Sequence, residues 1–220
     1  DIEEITTNIE EFTLNMQENR MNLSYGPELE PRSITISFWA KLSENSASDR
    51  ELLFALHDGR PDYLTNNANT TTKYGIQKTV STDRTTGEEY ATIALYMRLP
   101  LVEGGEYHTS YFIQNKENIL ETDKWHHFAF TYSPDMDSIS SNRGIARVFH
   151  DGQSNMSFIH RTTVGDEEYY VTSDMNDTAH KSYNAPTFSF GKFSGSIDDL
   201  RIYNRVLSSD EVLELSKVRK

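Results

Sequence analysis

From Ser33 onward, apolar and polar positions alternate. Ile34, Ile36, Phe38, Ala40 and Leu42 fall on one side, and Thr35, Ser37, Trp39 and Lys41 on the other. That period of two marks a strand with one face in a core. The run Trp125 to Tyr132 repeats it, with Phe128, Phe130 and Tyr132 opposed to Trp125, His127, Ala129 and Thr131. Further strands are predicted over Glu51–Leu56, Tyr90–Leu99, Tyr107–Gln114, Ile145–His150, Ser157–Thr163, Thr187–Gly191 and Ser196–Tyr203. Asp151-Gly152 interrupts one extended run, and Asp-Gly suits a type I′ hairpin turn, which needs positive φ at both central residues. Many short strands with turn residues between them, and almost no helical periodicity, predict an all-β sandwich, jelly roll or barrel rather than βαβ units.

One short helix is specified near the C-terminus. Ser208 caps it, Glu211 completes a capping box, and Leu207 and Val212 stand where a hydrophobic staple places them. The predicted span is Ser209 to about Lys217, with Leu213 facing the body and Lys217, Arg219 and Lys220 suiting the negative end of the dipole. Such a helix covers one sheet edge or opening. Long polar insertions are expected at Arg60–Lys73, Thr79–Glu89 and Gly165–Asn184, lengths at which loops are more often functional than accidental.

The 220 residues fit one large domain, preceded by an N-terminal extension or linker over 1–11, with the domain itself over 12–220. At 11% aromatic content the chain can build a core, which excludes a disordered reading. A net charge of −13 with no Lys/Arg-rich stretch repels phosphate backbones, so no nucleic-acid partner is expected and cations are the natural ones. No apolar window approaches the roughly 18 residues of a membrane helix, and the acidic start is unlike a signal peptide, so no membrane insertion is expected. The absence of cysteine removes disulfides, thiolate metal sites and thiol nucleophiles together. Glycosylation sequons at Asn22, Asn69, Asn155 and Asn176 decide nothing.

Three segments carry a family resemblance: Ser33-Ile-Thr-Ile-Ser-Phe-Trp-Ala-Lys41; Lys124-Trp-His-His-Phe-Ala-Phe-Thr-Tyr132 with Arg147-Val-Phe-His-Asp-Gly152; and Phe193-Ser-Gly-Ser-Ile-Asp-Asp-Leu-Arg-Ile-Tyr-Asn-Arg-Val-Leu-Ser-Ser-Asp-Glu211. In order and content they resemble the laminin G-like, concanavalin A-like jelly-roll domains over roughly Phe12 to Leu215. The last segment, a glycine turn, an Ile-Asp-Asp strand and a Leu-Ser-x-x-Glu helix start, is the most specific. The resemblance implies a two-sheet antiparallel jelly-roll sandwich with a short C-terminal helix. It implies no particular ligand, because this superfold hosts lectins, adhesion modules and glycoside hydrolases alike.

Strand parity separates the acidic pair. Asp198 shares a face with Leu200 and Ile202, and Asp199 with Ile197, Arg201 and Tyr203. With Leu200 and Ile202 in the core, Asp198 becomes a carboxylate at the edge of an apolar layer, which needs a cation or an Arg/Lys partner. The resemblance implies a structural calcium near this strand, with Glu18 as the second ligand. A ligand-contacting rim calcium would draw on Asp58, Asp62, Asp166 or Asp174, and no spacing singles one out. His126 and His127 are adjacent on a strand and point to opposite faces, so they cannot chelate one metal together. His150 and His160 could meet across the hairpin, but read more simply as ordinary strand residues.

For catalysis, jelly-roll glycosidases align Glu-x-Asp-x-Glu along one strand, so that alternation aims every carboxylate into the groove. That triple is absent, as are G-x-S-x-G, a P-loop and H-E-x-x-H. Only pairs such as Glu121-x-Asp123 and Asp166-x-Glu168 occur, and Glu167 and Glu168 beside Tyr169-Tyr170 are the least implausible catalytic centre. Sugar and protein recognition instead uses aromatic faces and amide groups on loops. The candidate ligand contacts are Tyr63, Asn66, Asn67, Tyr74, Tyr107, Tyr111, Tyr169 and Tyr170. The expectation is a non-catalytic recognition or adhesion module of a larger secreted or surface protein, beside neighbouring domains, binding a glycan or an extracellular protein. The alternatives are a jelly-roll glycoside hydrolase, with carboxylates about 5–10 Å apart in a groove, and a purely structural spacer with apolar packing patches.

Overall fold

The structure is a computed structural model. It describes residues 22–23, 29, 31, 33–43, 50–57, 72–82, 85–87, 89–100, 106–112, 123–133, 145–159, 162–164, 167–169, 187–190 and 194–218. The strands are β1 (Asn22–Leu23), β2 (Ile34–Leu42), β3 (Arg50–His57), β4 (Thr72–Thr82), β5 (Glu89–Pro100), β6 (Glu106–Phe112) and β7 (Trp125–Ser133). They continue as β8 (Ile145–His150), β9 (Gln153–Ile159), β10 (Thr162–Val164), β11 (Glu167–Tyr169), β12 (Thr187–Phe190) and β13 (Gly195–Tyr203), followed by helix α1 (Ser209–Leu215). A six-stranded sheet runs β1-β12-β3-β4-β5-β6, a five-stranded sheet runs β13-β2-β7-β8-β9, and β10 and β11 form a separate ribbon. This is the antiparallel jelly-roll sandwich that the resemblance implies, one of the all-β architectures that the strand pattern left open.

The core lies between the two sheets. Ile34, Ile36, Phe38, Ala40 and Leu42 of β2 are buried there with Phe128, Phe130 and Tyr132 of β7. From the other sheet come Leu53, Phe54, Leu56, Tyr74, Ile76, Ile93, Leu95, Phe188 and Phe190. Phe38 and Phe54 meet edge-to-face across the interface with ring centroids 5.3 Å apart. Each such side chain stabilises the fold by about 1.5–3 kcal/mol through the apolar surface it removes from water.

The polar face of β2 is not open. Thr35, Ser37 and Thr131 are buried as well, because the C-terminal segment lies over the outer face of the five-stranded sheet. The Thr35 hydroxyl donates to the Arg205 carbonyl at 2.8 Å and accepts from the Leu207 N–H at 2.9 Å. Leu207 and Val212 pack on Ala129 and Phe149 in a second apolar cluster on that face. The helix begins with the expected capping box, Ser208 and Glu211 each accepting from the other's backbone N–H. It ends at Leu215, short of Lys217, with Ser216 as its C-cap.

All three predicted insertions contain strand. β4 takes in the end of one and the start of the next, and β11 lies inside the third. The Asp151-Gly152 turn forms as predicted, with φ of 48° and 77°, and pairs β8 with β9.

Candidate functional site

Asp198 does not stand where simple alternation puts it. β13 carries a bulge opposite β2: Asp198 pairs with Trp39, the next paired residue is Arg201 with Ser37, and Asp199 adopts φ of 48°. Two residues thus face one, which resets the parity. Ile197 and Leu200 both enter the core, and Asp198 shares its outward register with Trp39. The premise that Asp198 lies along the Leu200 and Ile202 face is therefore corrected. Asp199 is engaged by Arg201 through two hydrogen bonds of 2.9 Å. Glu18 lies outside the described residues.

Tyr74, expected as a ligand contact, is a core residue: it is buried and its hydroxyl donates to the Leu29 carbonyl at 2.8 Å. Tyr107 and Tyr111 lie on β6, paired with Leu99 and Leu95, and Tyr169 lies on β11, paired with Thr162. Tyr63, Asn66, Asn67 and Tyr170 lie outside the described residues, as do Asp58, Asp62, Asp166, Asp174 and His160.

The structure brings together a set of groups that the sequence reading left apart. β7 and β8 pair Phe128 with His150, and His126 shares the inner face of β7 with Phe128, two residues away. His126 and His150 therefore meet at the end of the core, where the rings of Phe128 and His150 stack at 5.2 Å. The hairpin turn supplies Asp151. Its Oδ2 lies 2.9 Å from His126 Nδ1 and 3.4 Å from His150 Nε2, and the two ring nitrogens are 3.2 Å apart. The carboxylate is clamped from behind: the His127 N–H donates to Asp151 Oδ1 and the Asp151 N–H donates to the His127 carbonyl, both at 2.8 Å. Only a register between β7 and β8 could have exposed this cluster in advance.

Burial pushes the His150 imidazole below its usual range, against the pull of Asp151 and with help from His126. Burial also acts to raise the Asp151 carboxyl, but the hydrogen bonds from His126 and the His127 backbone outweigh it and hold the group below the usual carboxylate range.

On the opposite face of β7, His127 is buried against Trp39, with ring centroids 5.4 Å apart, and its Nε2 lies 2.9 Å from Ser37 Oγ. Burial lowers its pKa to about 4. The unfolded chain therefore takes up a proton near the ordinary histidine pKa, about 6.5, while the folded chain does not. The sign follows: this residue's contribution to stability is whole above about pH 6.5 and declines as pH falls toward 4, by up to about 3 kcal/mol. Urea unfolding in the presence of a chelator should show a shallower loss of stability over that range for His127→Phe than for the parent chain. Parallel slopes would contradict the assignment.

With the fold and these groups in view, comparison with known proteins places the chain. A model of the concanavalin A-like lectin/glucanases superfamily matches residues 15–213. The chain belongs to that superfamily. No curated protein matches it. Among solved structures it is similar to NanB, in a complex described as NanB plus Optactamide, at 15% identity and a TM-score of 0.53, covering 94% of this chain and 27% of that one. It is also similar to the binding domain of Botulinum neurotoxin DC in complex with rat synaptotagmin II, at 12% identity and a TM-score of 0.48, covering 90% and 39%. A third similarity is to Trypanosoma rangeli sialidase, at 13% identity and a TM-score of 0.41, covering 84% and 22%. At these identities the likeness concerns the fold alone, and the chain spans less than half the length of each of the three. Among the described residues, no helix is long and apolar enough to cross a membrane.

Proposed function

We propose that this chain is a non-catalytic recognition domain of an extracellular or cell-surface protein, binding a glycan or a protein ligand. The superfamily's description spans sugar binding and sugar cleavage, and the carboxylates favour the first. Retaining and inverting glycosidases need one carboxyl raised above its usual range as the acid. Four described carboxylates are instead tied into the fold: Glu51, Asp151, Asp199 and Glu211. Glu51 is held by Lys78 and the Ser194 N–H, and Asp199 by Arg201. Glu211 is held down at about 2 by the Arg205 guanidinium and the Ser208 N–H. Asp151 is lowered as well. That commitment of acid groups to structural partners is the observation that carries the reading.

Ligand contact falls to the aromatic and amide residues Tyr63, Asn66, Tyr107, Tyr111, Tyr169 and Tyr170. The labelled chain on a glycan array, with and without calcium, is expected to show saturable binding to a glycan class. Binding confined to extracellular proteins would select the protein-ligand arm, and no saturable partner of either kind would contradict the reading in favour of a spacer.

A structural calcium at Asp198 and Glu18 is a separable element of this proposal. It requires that chelation lower the melting temperature and that Asp198→Ala remove the difference. Identical melting with calcium and with chelator ends it.

A further inference from the structure

We infer that His126, His150 and Asp151 bind one divalent transition-metal ion, of which Zn²⁺ is the natural occupant, at the end of the sandwich core. The inference does not depend on the recognition function and stands on the convergence of three donor atoms.

His126 Nδ1, His150 Nε2 and Asp151 Oδ2 form a triangle with sides of 2.9, 3.2 and 3.4 Å. No arrangement of protons on neutral rings satisfies it. If His126 Nδ1 carries the proton toward Asp151, a proton on His150 Nε2 faces another N–H at 3.2 Å, and without that proton the His150 Nε2 lone pair faces the Asp151 oxygen at 3.4 Å. If His150 donates to His126 instead, the lone pair of Asp151 confronts an unprotonated nitrogen at 2.9 Å. Each neutral imidazole has one donor and one acceptor nitrogen, so one of the three contacts always sets like groups against each other, at 3.4 Å in the mildest arrangement. A dipositive ion turns all three into attractions.

The triangle also has the right size. Two ligand atoms about 2.0–2.1 Å from zinc stand roughly 3.3 Å apart at the tetrahedral angle and roughly 2.9 Å apart at a right angle. Among the described residues, these three form a group of His, Asp and Glu ligands close enough to share an ion, with their ligand atoms within 4.8 Å of one another.

The surroundings fix the donors. Phe128 stacks on His150 at 10° between planes, holding that ring's orientation. The His127 N–H on Asp151 Oδ1 turns the other carboxylate oxygen toward the histidines, the kind of outer contact that orients metal ligands. The His150 side chain is 6% exposed and that of Asp151 is 48% exposed. The ion would thus sit with its nitrogens toward the core and its carboxylate toward water, leaving one or more positions for water or an oxygen of a bound ligand. Two imidazoles and one carboxylate suit zinc, cobalt and nickel, whereas calcium prefers an all-oxygen shell.

The test is calorimetric titration of Zn²⁺ into the chelator-treated 220-residue chain, with Co²⁺ absorption as a report on geometry. One saturable site is expected, with visible cobalt bands of a nitrogen- and oxygen-ligated ion and a zinc-dependent rise in melting temperature. His150→Phe, which keeps an aromatic ring against Phe128, and Asp151→Asn, which keeps an acceptor for the His127 N–H, should each weaken zinc binding by more than about tenfold. Both variants should melt cooperatively without metal, and calcium should not compete. An absence of saturable zinc binding in the parent chain would overturn the inference. So would zinc binding unchanged in both variants, because another set of residues would then hold the ion.

Discussion

Glu51→Ala is expected to lower the unfolding free energy by about 4 kcal/mol. Glu51 and Lys78 are register partners on β3 and β4, their charged ends 3.7 Å apart with side chains 9% and 5% exposed. Glu51 also accepts from the Ser194 N–H at 3.2 Å, which ties the start of β3 to the approach to β13. Deleting the carboxylate removes the acid partner of a buried Lys78 ammonium and the acceptor of the Ser194 N–H, and breaking a buried pair from one side costs more than the pair itself contributes. Replacing both ends, Glu51→Leu with Lys78→Met, should recover most of the loss, to within about 1 kcal/mol of the parent. Urea unfolding of the two variants checks this. A single variant within about 1 kcal/mol of the parent, or a double variant as unstable as the single, would contradict the account.

Gly152→Val is expected to cost a similar amount, about 4 kcal/mol. Gly152 sits at φ of 77° in the hairpin turn, a region that a β-branched residue enters only with strain. It is also buried beneath the C-terminal segment. A Cβ there would meet Ser216 Oγ and would lie 2.8 Å from Leu213 Cδ1. The substitution would thus press the hairpin away from α1 and disturb the cover over Ala129 and Phe149. Gly152→Ala with Ser216→Gly removes the Ser216 contact and leaves the Leu213 approach and the backbone strain. The second substitution should restore about half of the stability lost by Gly152→Ala alone, the backbone strain accounting for about 1–2 kcal/mol of the rest. If Gly152→Val melts like the parent, the close approach of hairpin and helix is wrong.

What the sequence made legible was set by how far local pattern determines position. β2, β7 and β8 announce themselves through alternating large apolar residues, and α1 through Ser208 and Glu211, because their information is local. β4 hid among predicted insertions because its inward positions include Lys78 beside Tyr74 and Ile76, and Gly75 lies between them, so the strand reads as polar. Gly75 is required there: a Cβ would stand 2.8 Å from the Ala55 Cβ on the paired strand. The buried state of Thr35 was invisible because it depends on a segment some 170 residues away.

The site shows the same division. Asp198 was misplaced by one bulge, since inserting a single residue inverts every parity argument beyond it. The His126, His150 and Asp151 cluster was missed although both strands were correctly read. Its formation depends on the cross-strand register that sets Phe128 opposite His150, and adjacent-residue parity says nothing about register. His126 and His127 do point to opposite faces, as expected, and that left each to find partners from other parts of the chain: His150 and Asp151 for one, Ser37 and Trp39 for the other.

The central claim is that this superfamily member binds without cleaving. The most direct measurement is the mass of a glycan captured by the chain, recorded after prolonged incubation at neutral and mildly acidic pH. The account predicts the captured glycan intact, with no new reducing ends. Shortened glycan produced by the purified chain at either pH would contradict it.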